Sequence, residues 1–360
     1  MSRERLTGLL SGYVPAQLAY VMARLRLADL LDGKTLTVDE LAAATGTRPD
    51  LLRRLLRGLA GVGLVALEPG ERASLTAMGA LLGSETPGSM RELTLHRGSE
   101  SYRAWAELEH AVRTGQSAFE AAHGEPFFEH LRANPTAGAA FDGAMAQLSD
   151  RVVDEAVARV DFAAASRVLD VGGGRGHLVA AVLEAHPDLE GAVFDVPELA
   201  ETAREYLRGR GLGDRSAAVG GNFFESLPSD YDVHILKWIL HDWDDDAARD
   251  LLSSCRLALP ADGRLLIVEQ LLPETVPSSG ELHPAVALDL TMLVNFADAR
   301  ERHLGEYVAL LADTGFAVEQ VISLPSGFSV LDCRVATLGT SGRRESRRQY
   351  ELRAARGGSH

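Results

Sequence analysis

Residues 168–177 read Val168-Leu169-Asp170-Val171-Gly172-Gly173-Gly174-Arg175-Gly176-His177. A short apolar run ends in an acid and passes into a glycine loop that opens a helix, the arrangement of a nucleotide-cofactor site. Glycines at 172, 174 and 176 let the backbone turn tightly and come close to a ligand, because no Cβ stands in the way. The spacing departs from the dinucleotide fingerprint G-x-G-x-x-G, whose third glycine would fall at 177, where this chain has His177. Asp170 would also set a carboxylate near a pyrophosphate, an unfavourable pairing of like charges. The same acid suits a cationic ligand, and S-adenosylmethionine carries both an ammonium and a sulfonium. Which cofactor the loop holds is therefore the question the rest of the chain has to answer.

Beyond the loop, β-rich runs at 168–171, 192–195, 233–237, 264–269 and 330–336 are separated, in the earlier part, by helix-length segments. That alternation predicts an α/β domain with a parallel, doubly wound, Rossmann-like sheet. Ligands of such sheets bind at the carboxyl ends of the strands. Asp195 ends the second run, about twenty residues after the loop, where an acid accepts hydrogen bonds from ribose hydroxyls; its alternative is a cap on the next helix. Asn222 and Phe223, in Gly221-Asn222-Phe223-Phe224, follow the next expected strand, where an amide reads an adenine amino group and an aromatic packs on its face. Phe224 reads as core.

Just past the strand ending near Lys237 stands His241-Asp242-Trp243. Histidine is the side chain whose unperturbed pKa, near 6.5, lets it take a proton at neutral pH. A lone histidine there would read as structural. Glu269, at the end of the following strand, raises the reading to a base held in its tautomer by a carboxylate. The acids Asp244, Asp245 and Asp246 read as a helix start, not as a metal site, and no metal is expected.

The N-terminal part is different in kind. Residues 15–95 read as short amphipathic helices, with Thr37 and Glu40 in a capping box, Gly46 as a stop, and a hairpin over the Gly-Leu-Val-Ala-Leu-Glu-Pro-Gly run. This is a winged helix-turn-helix pattern, with Arg53, Arg54 and Arg57 on the would-be recognition helix. The segment carries nearly as many acids as bases, and the whole chain has a formal charge of −15, so a nucleic-acid partner is not expected. Residues 102–150 stay helical, with a boundary at Asn134-Pro135.

At 360 residues the chain exceeds one core, and two domains are expected: 1–160, helical, with acceptor-pocket helices over about 100–150, and 161–338, the sheet domain. An arginine-rich tail, 339–360, reads as flexible. No apolar run reaches membrane length and no secretory signal opens the chain, so a cytoplasmic protein is expected. Cys255 and Cys333 lie in apolar segments and read as reduced core residues.

Taken together these motifs resemble the plant-type and actinobacterial small-molecule O-methyltransferases that use S-adenosylmethionine. The likeness runs to about Ala336 through the glycine loop, Gly-Asn-Phe-Phe, Leu-Lys-x-x-x-His-Asp-Trp, Val-Glu, Ala-Arg-Glu-Arg and Thr-Gly-Phe. The resemblance implies His241 as general base, flanked and oriented by Glu269 and Glu301. It implies Asp170, Gly172 and Gly174 as the cofactor loop, Asp195 at the ribose, Asn222 and Phe223 at the adenine, and Lys237 as a further cofactor contact. Phe141, Met145, Met292 and Phe296 match positions lining an aromatic acceptor's pocket. The N-terminal helices are implied to form a homodimer. Two departures stand out: Asn222 replaces the usual aspartate, and Asp298-Ala299 replaces the usual Gly-Gly ahead of Glu301.

The chemistry expected is in-line transfer of an activated methyl to a hydroxyl of an aromatic natural product, with proton removal by His241. A cofactor-binding relative that catalyses hydroxylation, decarboxylation or a pericyclic reaction is the alternative; a dehydrogenase and a winged-helix regulator rank below it.

Overall fold

The structure, a computed structural model, describes residues 2–278 and 280–336; the arginine-rich tail lies outside them. The chain divides into two compact units, one of residues up to Ser149 with Val294–Phe296, the other of Asp150–Leu293 and the residues from Ala297 on.

The first unit opens with α1 (Ser2–Leu10), α2 (Tyr13–Arg24) and α3 (Leu27–Leu31). A winged helix-turn-helix follows: β1 (Leu36–Thr37), α4 (Val38–Thr45), α5 (Pro49–Gly61), β2 (Val65–Glu68) and β3 (Arg72–Leu75). The capping box forms as the sequence predicts. Thr37 Oγ1 accepts from the Glu40 N–H at 3.2 Å, Glu40 Oε2 accepts from the Thr37 N–H at 2.7 Å, and Gly46 ends α4 in the left-handed region. β2 and β3 form the wing hairpin, with β1 on the far side of β3. Leu41, Leu52, Leu56 and Leu59, spaced one turn apart on two helices, close a core with Met22 and Val65.

Six short helices and one long one complete this part: α6 (Ala77–Ala80), α7 (Arg91–Gly98), α8 (Glu100–Trp105), α9 (Leu108–Thr114), α10 (Ala118–His123), α11 (Phe127–Ala133) and α12 (Pro135–Arg159). The break between α11 and α12 falls at Asn134-Pro135, where proline disfavours helix in the residue before it. The division between the units falls within α12.

The second unit is a seven-stranded sheet between two helical layers. Its elements run β4 (Arg167–Val171), α13 (His177–Ala185), β5 (Glu190–Asp195), α14 (Pro197–Gly209), β6 (Ser216–Gly220), β7 (Val233–Lys237), α15 (Asp245–Ala258) and β8 (Arg264–Glu269). After them come β9 (Leu271–Leu272), α16 (Pro284–Asn295), β10 (Arg302–His303), α17 (Leu304–Asp313), β11 (Phe316–Ser323) and β12 (Ser329–Val335). The strand order is β11-β12-β8-β7-β4-β5-β6, and β9 and β10 pair apart from the main sheet.

Successive strand residues alternate between two cores. Val168, Val193, Ile235 and Val268 face α13 and α14, while Leu169, Ala192, Leu236 and Ile267 face α15 and α17. Apolar residues on both faces are what a covered parallel sheet requires. The sheet is not parallel throughout. β12 pairs antiparallel with β8, and β11 antiparallel with β12. β11 was not among the expected strands: as an edge strand it is covered on one side, and its central Glu319 and Gln320 are exposed.

Both cysteines are free and buried in the second of these cores, where burial raises both thiol pKa values, that of Cys255 to about 12. No described helix is long and apolar enough to cross a membrane.

Candidate active site

The carboxyl ends of β4, β5, β6, β7 and β8 carry the polar residues of the second unit. At the end of β4 the chain turns through Gly172, Gly174 and Gly176, with φ of 72°, 56° and 86°. At Gly172 the positive φ favours glycine, and a Cβ there would stand 2.4 Å from Ile239 Cδ1 and force that side chain to shift. At Gly174 a Cβ would meet nothing within 4 Å: the backbone there faces open space, as a ligand-cradling turn should.

Beneath this loop Asp170 is 1 % exposed, and neither of its carboxylate oxygens has a hydrogen-bond partner. Burial pushes its pKa up to about 7, against the downward pull of Lys237. A buried carboxylate with no donor is costly unless a ligand supplies one, and an ammonium would. The Asp195 carboxylate accepts from Gly174 N–H at 2.8 Å and Val196 N–H at 2.7 Å, tying the loop to the end of β5 and leaving lone pairs for hydroxyl donors. It does not cap α14, whose N-cap is Val196. These residues fit S-adenosylmethionine: an unpartnered acid for its ammonium, a second acid at the ribose position, and a backbone cradle between them.

Lys237 is half-buried, its Nζ 3.9 Å above the Trp238 ring, and burial lowers its pKa against the pull of Asp170 and Glu269. Trp238 holds a left-handed backbone, φ 59°, an uncommon conformation for a bulky side chain. At the end of β6 the Asn222 oxygen accepts from the Phe224 N–H at 3.1 Å and its amide nitrogen donates to Glu225. Asn222 thus shapes its own turn and keeps one oxygen lone pair free. Phe223 and Phe224 meet edge to face at 4.7 Å, and both meet Trp243.

His241 sits in a short 3₁₀ turn, Leu240–Asp242, beyond β7. The structure brings the three expected residues together. His241 Nδ1 lies 2.7 Å from Glu301 Oε1 and 3.5 Å from Glu269 Oε2, and His241 Nε2 lies 3.5 Å from Asp242 Oδ1. All three are buried. Glu269 Oε1 accepts from the Ile239 and Leu240 N–H groups at 3.1 and 3.0 Å, so this acid holds the turn as well as the ring. Burial works to lower the His241 pKa, but Glu269, Asp242 and Glu301 outweigh it and lift it to about 10. Burial lifts Glu269 to about 7, against His241.

One ligand atom from each of His241, Glu269 and Glu301 lies within 4.8 Å of the others, close enough to consider a metal ion. The shortest separation argues for a proton instead. Two ligands on one ion at about 2.1 Å stand roughly 3.4 Å apart in tetrahedral geometry, whereas Nδ1 and Oε1 are at hydrogen-bond distance.

Several residues that sequence reasoning did not single out stitch the turn in place. β9 and β10 pair Leu271 with Arg302 and Leu272 with His303, setting Glu301 beside the strand end that carries Glu269. The Glu301 N–H donates to Asp289 Oδ1 at 3.0 Å. Arg302, fully buried, donates to the carbonyls of Leu240 and Trp243, both at 2.7 Å, and pairs with Asp245. Asp244 caps α15 through the Ala247 N–H, as the acidic run suggested, but Asp245 faces Arg300 and Arg302 instead. The one hint in the sequence was the charge alternation Arg300-Glu301-Arg302.

The four expected acceptor-pocket residues are distributed along the chain. Phe141 and Met145 lie one turn apart on α12; Met292 is on α16, and Phe296 follows that helix. Within the first unit Phe127 joins Phe141 and Phe296, at ring distances of 5.2 and 5.3 Å.

Comparison with known proteins places this site in a family. Residues 105–317 match the O-methyltransferase domain, and residues 7–84 match the O-methyltransferase dimerisation domain. The phenazine O-methyltransferase PhzM of Lysobacter antibioticus is 42 % identical over 331 residues, 91 % of this chain and 95 % of that protein. The crystal structure of LaPhzM superposes with a TM-score of 0.86 at 40 % identity, covering 93 % of this chain and 99 % of that one. NcsB1, an O-methyltransferase from neocarzinostatin biosynthesis solved with S-adenosylmethionine and 2-hydroxy-5-methyl naphthoic acid, gives 0.77 at 33 %, covering 89 % and 96 %. A Streptomyces davaonensis relative, 36 % identical over 90 % of this chain and 91 % of its own length, is an 8-amino-8-demethylriboflavin N,N-dimethyltransferase. A Rossmann-like sheet carrying this loop is the core of an S-adenosylmethionine-dependent methyltransferase. The chain belongs to the O-methyltransferase family.

Proposed function

We propose that the protein methylates a hydroxyl of an aromatic secondary metabolite, with His241 as general base. The observation that carries this is the 2.7 Å contact of His241 Nδ1 with buried Glu301, with Glu269 on the same side. Nδ1 then keeps its hydrogen, and Nε2 is the nitrogen left to take the proton of an acceptor. A phenol with pKa near 10 is barely ionised at neutral pH, so a hydroxyl acceptor needs that proton removed. An aromatic ring nitrogen has a free lone pair and needs no base. The buried imidazole with two carboxylates behind it therefore favours oxygen, although relatives named for nitrogen acceptors share the fold.

S-adenosylmethionine supplies, when bound, a methyl already activated by its sulfonium. The rest falls to the chain. Asp170 would take the ammonium, Asp195 the ribose hydroxyls, Asn222 and Phe223 the adenine; Gly172 and Gly174 would let the backbone approach, and Lys237 would be a further cofactor contact. Phe141, Met145, Met292 and Phe296 would line the acceptor's site.

Against burial, Glu269, Asp242 and Glu301 raise the His241 pKa, which favours the protonated ring in the cofactor-free protein. It becomes a base only where a neighbouring cation disfavours its charge. In the cofactor-free protein, histidine NMR should show His241 titrating far above the ordinary 6.5, and Glu301→Gln should bring the midpoint down. An inflection near 6.5 in the unmodified protein would refute the electrostatic account.

The same reading makes the protein a homodimer. Along α1 and α2, Leu6, Leu9, Leu10, Tyr13 and Val14 are exposed apolar residues within or beside the region matching the dimerisation domain.

The direct test is incubation with methyl-labelled S-adenosylmethionine and a panel of hydroxyphenazines, hydroxynaphthoates and phenolic acids, each beside an amino analogue. Label on hydroxyl oxygen is expected. Label only on nitrogen, or tight cofactor binding with no transfer to any acceptor, would reject the proposal, the latter in favour of a non-methylating reaction.

A further inference from the structure

The first unit contains a ring cluster in which one member stands apart chemically. Phe119, Phe127, Phe128, Phe141, Phe296 and three histidines pack with ring distances between 4.2 and 6.4 Å. Two of the histidines are satisfied: His123 Nε2 lies 3.1 Å from the Glu100 carbonyl oxygen, and His130 Nδ1 lies 2.9 Å from Glu125 Oε1. The third, His96 on α7, is 7 % exposed, and its ring has no hydrogen-bond partner among the described residues. Phe141 stands 5.3 Å from it and Phe127 6.3 Å, both edge-on.

A packed structural histidine ordinarily finds a partner, because burying an imidazole without one costs free energy. His96 instead has the edges of Phe127 and Phe141 as its ring neighbours, and its ring nitrogens are not sealed from solvent. Phe127 behind it is buried, Phe141 and Phe296 are half-buried, and Phe128 at the edge is exposed. Exposure thus rises outward from Phe127 to Phe128, and His96 is the histidine of this cluster whose polar edge is not already engaged. Few polar groups in a mostly apolar wall is how small-molecule sites fix orientation.

We propose that His96 determines acceptor specificity by hydrogen bonding a ring nitrogen or carbonyl of a flat aromatic acceptor lying against Phe127, Phe141 and Phe296. This rests on the aromatic acceptor of the preceding reading. Burial lowers the His96 pKa to about 4, chiefly against Glu100, so at neutral pH the ring offers one N–H donor and one lone pair and carries no charge. A neutral partner is thus selected. A carboxylate would be desolvated there against phenylalanine edges and a neutral imidazole, with no compensating cation from His96.

The test compares 2-hydroxyphenazine with its all-carbon isostere 2-hydroxyanthracene, measuring dissociation constants by fluorescence quenching on the full chain in the presence of S-adenosylhomocysteine. The wild type should favour the phenazine by about two- to ten-fold, the usual net worth of one hydrogen bond. His96→Leu should bring the ratio to about one, and His96→Gln should keep part of it. A ratio near one in the wild type, or one that survives His96→Leu, overturns the proposal. If His96→Leu does not fold, the ring nitrogen resonances of His96 in the wild type decide: they should move with the phenazine and not with the anthracene, and a shift common to both overturns it. Methyl transfer is scored separately. A binding ratio without transfer rejects the O-methylation reading and leaves the role of His96 standing.

Discussion

Replacing His241 with alanine should lower methyl transfer to a phenolic acceptor by ~10²- to 10⁴-fold at neutral pH, the usual worth of one positioned general base. Affinity for S-adenosylhomocysteine should hardly change, because the glycine loop, Asp170 and Asp195 are built on β4 and β5 and share no hydrogen bond with the ring. The deficit should also shrink with rising pH. As the medium approaches the acceptor's own pKa, near 10 for a simple phenol, the hydroxyl ionises unaided and the missing base matters less. A merely structural histidine would give a deficit that is constant with pH and accompanied by a lower melting temperature. Wild-type turnover in the variant would remove His241 from the mechanism altogether.

The second large effect is expected at Asp170. Asp170→Asn keeps the shape and removes the charge, so affinity for the cofactor should fall by about 30- to 1,000-fold, the equivalent of roughly 2–4 kcal/mol for one partner of a desolvated charge pair. Stability of the cofactor-free protein should move the other way. Burial holds this carboxyl near 7, above its ordinary 3.8. An acid whose folded-state pKa is raised contributes fully below its unfolded pKa, and the contribution is lost as pH rises through the folded value. Between pH 4 and 8 the cofactor-free wild type should therefore lose stability that the asparagine variant keeps. At pH 8 the variant should melt higher and bind more weakly. Equal cofactor affinity in the two proteins would mean that the acid serves no ligand.

The parts of the site that were legible in the sequence are those whose chemistry is local. The run 168–177 announces a strand, an acid and a turn because glycine, branched apolar residues and aspartate each have one strong local preference. The strand ends near Lys237 and Glu269 follow from apolar runs of the right length, and His241 and Glu269 then fall beyond neighbouring strands. β6 was only inferred, since Ser216-Ala217-Ala218-Val219-Gly220 has weak strand propensity and is held by pairing with β5. The service of Arg302 to the carbonyls of Leu240 and Trp243 was not readable at all, because those partners are brought near only by tertiary structure. Nor was the isolation of His96 readable: a histidine one turn from Leu93 on a helix looks like any half-buried polar residue until its neighbours are known. The partners of Asp245, in the first turn of α15, were hidden for a related reason. Its place at a helix start was visible, and the two arginines that claim it come from more than fifty residues later.

Glu301 reaches His241 through a ladder of two residue pairs, Leu271 with Arg302 and Leu272 with His303. During synthesis, a chain that has emerged as far as β8 already carries the glycine loop, the ribose acid and the imidazole. It does not yet carry Glu301, whose carboxylate stands 2.7 Å from that imidazole. The contact of Glu301 with His241 requires closing a loop of about thirty residues, whose entropy must be met before it forms.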